Sequence, residues 1–201
     1  EYTSDNFLSV ADGIIAWKKA DNGSEPDGYL INDKYLENAG TTPGDWYPIA
    51  LGRLGIQDNN EGYLAVIKDR VEARYRESGR LSAAKATESH RIALAVLALG
   101  GDPTNFGTDE NGAPINLIAD GTYDRGKTTP LGRQGINGWI WGLITLDSMR
   151  YVVPDGAYNT RDDIIVEIIS KQLSDGGFAL SSDDADPDIT AMAITALAPY
   201  Y

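Results

Sequence analysis

Residues 172–199, "QLSDGGFALSSDDADPDITAMAITALAP", hold the end of one helix, a glycine-rich acidic loop and the start of a second helix. In the second helix Ile189, Met192, Ala193, Ala196 and Leu197 form one stripe, and Ala191, Ile194 and Ala198 make the opposite side apolar too. A helix that is apolar all round belongs in the interior. The chain therefore places four aspartates at the mouth of a buried helix.

The same kind of helix recurs. "DWYPIALGRL" from Asp45, "ESHRIALAVL" from Glu88, "NGWIWGLITL" from Asn137 and "DITAMAITAL" from Asp188 align without a gap. Their starts lie 43, 49 and 51 residues apart. The first position is acidic or amide, the sixth is small (Ala50, Ala93, Gly142, Ala193), and the last is leucine (Leu54, Leu97, Leu146, Leu197). A repeat of this period marks stacked supersecondary units. The four segments read as inner helices near 43–55, 87–99, 135–149 and 187–198, with the small sixth residue letting a neighbour approach.

The segments before them are apolar on one face only. Phe7, Ala11, Ile14 and Ile15 share a face in the first, Leu64, Ile67, Val71 and Tyr75 in the second, and Ile164, Ile165, Ile168 and Ile169 in the fourth. One-faced amphipathic helices belong outside. The third, "NLIADGTYDRGKTTPLG" (116–132), reads mostly as loop. Helix punctuation agrees with this outer–inner alternation. Thr42 before Pro43 and Asp186 before Pro187 read as caps. Asp162 and Asp163 follow Thr160 where negative charge suits the helix dipole. Gly100 and Gly101 end the second inner helix. No alternating strand pattern is found. The expected fold class is all-α: about four outer–inner hairpins in one domain over residues 1–201.

Composition narrows the chemistry. There is no cysteine, which removes disulfides, thiolate metal sites and a cysteine nucleophile. A net charge of −13 argues against nucleic acid or an anionic membrane as partner. No apolar run approaches the ~20 residues of a membrane span. The chain opens at "EYTSDNF" without Met, which points to a mature product or an excised piece.

"QLSDGGF" (172–178) fits the Q-x-x-x-G-x-[WF] motif of squalene–hopene cyclase and its relatives, and "DPDITAMAITALAPYY" resembles the prenyltransferase and squalene-oxidase repeat. The stretches "GTTPGDWYPIALGRLG", "DGTYDRGKTTPLGRQGINGWIWGLITLDSMRY" and "TRDDIIVEIISKQLSDGGFALS" resemble repeat domains of bacterial extracellular proteins in that superfamily. The resemblance covers most of the chain. It implies an α/α toroid, with inner helices around a central cavity, and a secreted or cell-surface location. A full toroid has about six hairpins and at this spacing needs nearer ~280 residues. Four hairpins imply an incomplete toroid or one part of a longer protein, with other domains of the same polypeptide as expected partners.

The family's catalytic groups do not transfer. Class II terpene cyclases use the middle Asp of D-x-D-D, whereas "SDDADPD" supplies Asp183, Asp184, Asp186 and Asp188 in another order. The plain reading is a capped helix start, with Asp186 as N-cap and Asp188 in the first turn. Clustered oxygens also suit calcium, but no EF-hand glycine or distal glutamate follows. The family's prenyltransferases hold zinc through Asp, Cys and His; with no Cys and one His that site cannot form. No metal and no cofactor is expected.

A candidate ligand site is the ring of residues at the inner-helix starts: Asp45, Glu88, Asn137 and Asp188 at the first position, and Tyr47, His90, Trp139 and Thr190 at the third, with Trp46 and Trp141 nearby. An apolar pocket with a few polar groups is the usual small-molecule site. The competing reading is that the aromatics are core and His90 is a buried histidine with one hydrogen bond. The expected function is a non-catalytic binding or scaffold domain taking a small apolar or amphipathic ligand; toroids of the transcobalamin and intrinsic-factor family bind a corrinoid. The alternative is a terpene cyclase-like or prenyl-transferring enzyme whose acid is Asp184, Asp186 or Asp188. Fold alone does not decide between them.

Overall fold

The computed structural model describes residues 3–201 and is helical throughout; among those residues there is no strand, only an isolated antiparallel bridge between Thr108 and Pro114. Nine α-helices are described: α1 (Ser4–Asn22), α2 (Asp33–Leu36), α3 (Thr42–Leu54), α4 (Asn60–Ser78), α5 (Ala86–Ala98), α6 (Leu117–Gly121), α7 (Ile136–Asp147), α8 (Arg161–Ile169) and α9 (Pro187–Leu197). The four repeat segments are α3, α5, α7 and α9, each within two residues of its expected bounds. They pack in chain order, α3 on α5, α5 on α7 and α7 on α9.

Their burial follows from the repeat. Ala93 and Ala193 at the sixth position are buried, and a Cβ at Gly142 would press on Leu131. Ala50, the sixth residue of the first repeat segment, is exposed. The tight α3–α5 approach is made two residues later, at Gly52, where any Cβ would overlap the carbonyl of Ala98. The small residue thus sits where the partner crosses, and in the first repeat that crossing is displaced.

The outer layer differs from expectation in two places. In α4, Ile67, Val71 and Tyr75 are buried as the pattern requires, and Tyr63 joins them. In α1 only Ile15 is buried, while Phe7 and Ile14 of the predicted inward face are exposed. The weak third outer segment is not a plain loop. It forms the short α6 followed by a turn-rich run, and every residue from Leu117 to Tyr123 is buried. Its backbone is held by side chains: Asn116 Oδ1 caps Ala119 N–H at 2.9 Å, and Arg125 donates to the carbonyls of Asp120 and Ser82, both at 2.8 Å.

Two further corrections concern helix starts and sides. α3 begins at Thr42, so Thr41 is its N-cap, and the Thr41 hydroxyl donates to Asn38 O instead of capping. α9 is not buried all round. Ile189, Ala193 and Ala196 are buried, but Ala191, Ile194 and Ala198 lie exposed, since among the described residues α9 packs on α7 alone of the inner helices.

The opening stretch is explained locally. Asp186 Oδ1 accepts from Asp188 N–H at 2.8 Å and from Ile189 N–H at 2.9 Å. Pro187 needs no acceptor. The glycine-rich loop is pinned on the same helix start: Phe178 is buried, its N–H donates to Thr190 Oγ1, and its carbonyl accepts from the backbone of Asp186. We predict that Asp186→Ala lowers the stability of the chain by about 0.5–2 kcal/mol and that Asp186→Asn costs less, since an amide still caps. Thermal unfolding followed by circular dichroism measures both.

Candidate functional site

The first-turn residues of the inner helices do not ring a common opening. Asp45 is wholly buried. Its carboxylate accepts from Tyr63 Oη at 2.6 Å, from Arg91 Nε at 2.7 Å and from Gly40 N–H at 2.8 Å. Tyr47 is half-buried, with the Lys18 ammonium 5.5 Å from its ring centre. Glu88 borders a small polar cleft of about 410 Å³ with Lys85, Arg91 and Gln134. Asn137 buries an Oδ1 that has no hydrogen-bond partner among the described residues. Trp139 lies half-buried against Gly132, where a Cβ would overlap its indole nitrogen. Thr190 is bonded to Phe178, and Asp188 stands exposed.

The physical reason is common to most of these positions. The loops that return to the helix starts fold over them: Gly40 reaches Asp45, Gly121 reaches His90, Gly132 covers Trp139 and Phe178 reaches Thr190. In each case the contact is made by a side chain of the helix start: the Asp45 carboxylate and the Thr190 hydroxyl accept from backbone N–H groups, His90 bonds the carbonyl of Gly121 in α6, and the Trp139 indole packs on Gly132. The predicted ring is therefore distributed through packed joints.

His90 is buried as well. Its Nε2 lies 2.6 Å from the Gly121 carbonyl, which can only accept, so Nε2 carries the proton and Nδ1 is left without a donor among the described residues. Burial drives its pKa down to about 3, against the opposing hydrogen bond to Gly121.

The opening lies at the other end of the helices. A cavity of about 600 Å³ is lined by Trp46, Ile49 and Arg53 of α3, by Leu94 and Leu97 of α5, by Trp141 and Ile144 of α7, and by Thr195 of α9 with Pro199 beyond it. Spacings of three and four residues place each set on one helix face. Each set lies mostly in the later part of its repeat, so the four helices run in the same direction past the cavity. Trp46 and Trp141, with ring centroids 5.7 Å apart and planes at 54°, form part of its wall. Of the ten residues expected at a binding site, these two line the cavity; Ile49, Leu94, Leu97 and Ile144, which complete it, are not among the ten.

The acidic loop is remote from this cavity. Asp183, Asp184, Asp186 and Asp188 are exposed at the start of α9, while the cavity begins at Thr195. Seven residues of helix separate Asp188 from Thr195, a rise of roughly 10 Å. Among the described residues no group of three or more His, Asp or Glu side chains is arranged to hold a metal ion, the acidic loop included. No helix is long and apolar enough to cross a membrane. No protein-family model, no curated protein and no solved structure matches the chain.

The buried histidine makes stability depend on pH. Its unfolded pKa is near 6.5 and its folded pKa is far lower, so between those values the unfolded chain binds a proton that the folded chain excludes. The associated stability is complete above pH ~6.5 and is lost as the pH falls below it, by at most about 1.4 kcal/mol per unit. Between pH 7 and pH 5.5 we expect the native chain to lose about 1 kcal/mol more than His90→Gln, read by urea unfolding.

Proposed function

We propose that the chain is a partial α/α toroid of four outer–inner hairpins and a non-catalytic binding or scaffold domain of a secreted or cell-surface bacterial protein. Its ligand is a small apolar or amphipathic molecule held in the cavity of the inner helices. One observation supports the reading: residues of all four inner helices line one largely apolar cavity. Its size is within the range of small-molecule sites, and its walls are mainly aliphatic and aromatic. The location rests on the resemblance of the repeat stretches to bacterial extracellular domains.

The bare edges of the row support completion by other domains of the same polypeptide. Ile194 and Ile169 are more than half exposed beside a shallow apolar groove with Phe178 and Tyr200, and α1 exposes Phe7, Val10 and Trp17 at the other end. Large apolar side chains gathered at an edge are normally covered. The enzyme reading has no comparable support. Asp186 is occupied as a cap, and the other loop aspartates face solvent away from the cavity.

N-phenyl-1-naphthylamine, a neutral apolar fluorophore, tests the site. We expect it to bind with enhanced emission, Trp141→Ala to weaken binding roughly tenfold, and Ile194→Ser at the α9 edge to leave it unchanged. The purified chain should leave squalene uncyclised and transfer no prenyl group. Absence of binding, or a product that disappears in Asp186→Asn, overturns the reading.

A further inference from the structure

We infer that the cavity selects anionic ligands, specifically an aromatic carboxylate or sulfonate, and that Arg53 is the residue that makes the selection. The inference rests on the cavity being a binding site and adds the chemistry of its occupant.

The cavity wall carries four polar side chains of consequence: Arg53, Asp147, Ser148 and Thr195. Three are committed elsewhere. Asp147 accepts from Arg161 Nε at 2.9 Å and from Tyr200 Oη at 2.7 Å, so its charge is neutralised and both oxygens are engaged. The Ser148 hydroxyl donates to Thr145 O at 2.8 Å, and the Thr195 hydroxyl donates to Ala191 O at 2.9 Å. Arg53 has no hydrogen bond and no ion pair among the described residues. It stands in the last turn of α3 and is exposed, so its guanidinium is free at the edge of the cavity.

Helix C-termini present negative carbonyl ends, and several of them gather here. One carbonyl of each accepts a bond from its own turn: Leu51 O from Ile56 N–H, Val96 O from Gly101 N–H, and Leu146 O from Tyr151 N–H. Of the two charged side chains on the wall, Asp147 is paired and Arg53 has no partner among the described residues, within a chain of net charge −13. The diffuse negative field decays over ~8 Å at physiological salt, whereas a guanidinium contact with an anion acts at hydrogen-bond range. A guanidinium binds carboxylate and sulfonate oxygens in a planar fork.

The body of the ligand is set by the tryptophans. Two indole rings inclined at 54° give a ring system faces and edges to pack on. A flat aromatic body against Trp46 and Trp141, with its anion turned toward Arg53, uses every uncommitted feature of the wall.

A matched pair of fluorophores tests this with the intact chain. 1-Anilinonaphthalene-8-sulfonate carries the anion; N-phenyl-1-naphthylamine has the same rings without it. We expect the sulfonate to bind about fivefold more tightly at 0.15 M salt. That margin should vanish in Arg53→Gln, survive in Arg53→Lys, and be unaffected by Ile194→Ser, with circular dichroism confirming that each variant is folded. Equal binding of the two probes by the native chain overturns the charge selection and leaves the apolar cavity standing. Failure of both probes to bind overturns the cavity as well. A sulfonate signal that falls with Ile194→Ser and not with Arg53→Gln assigns it to the α9 edge and overturns the role of Arg53.

Discussion

A carboxylate sealed from water must receive its hydrogen bonds from protein, and Asp45 is sealed. Its three donors come from three different segments: Gly40 before α3, Tyr63 on α4 and Arg91 on α5. Arg91 also reaches Thr42 and the Gly40 carbonyl. Removing one partner of such a set leaves the others buried and unpaired, at a cost of about 3–5 kcal/mol. The first joint of the row is thereby fixed in angle as well as in distance.

The second joint repeats the device. Tyr75, twelve residues after Tyr63 on the same face of α4, donates to the nearly buried Asp120 of α6 at 2.8 Å, and Arg80 lies 3.3 Å from the same carboxylate. Burial, with the nearby aspartate adding to it, pushes the two phenols well above the ordinary tyrosine range. They are donors at any physiological pH. One outer helix thus ties α3 to α6 over a span of roughly 18 Å, and α6 in turn packs on α5 and α7.

The inner helices were legible because their pattern is redundant: four copies agree on a polar start, a small sixth residue and a final leucine. The cap at Asp186 was legible because proline at the next position leaves little choice. The region around α6 was not. Its order comes from buried Arg125 bonding backbone carbonyls, and an arginine among glycines, aspartates and threonines gives no periodic signal. The location of the cavity was also hidden. A helix sequence shows which face is apolar, but which end of the row is closed by loops depends on where those loops fold back. Trp46 was grouped with Asp45 because the two adjoin in sequence, yet Trp46 lines the cavity while Asp45 is buried and bonded to Gly40, Tyr63 and Arg91.

The scant anchoring of α1 has a kinetic meaning. In a row of units that touch mainly their neighbours, local opening is easiest at the ends. α1 buries Ile15 alone, whereas α5 lies between two inner helices and buries seven of its residues. Amide protons of α1 should therefore exchange with solvent through frequent, shallow openings, and those of α5 only when the whole row comes apart. The molecule would then unravel from its first helix inward, with the cavity walls on α5 and α7 among the last parts to dissolve.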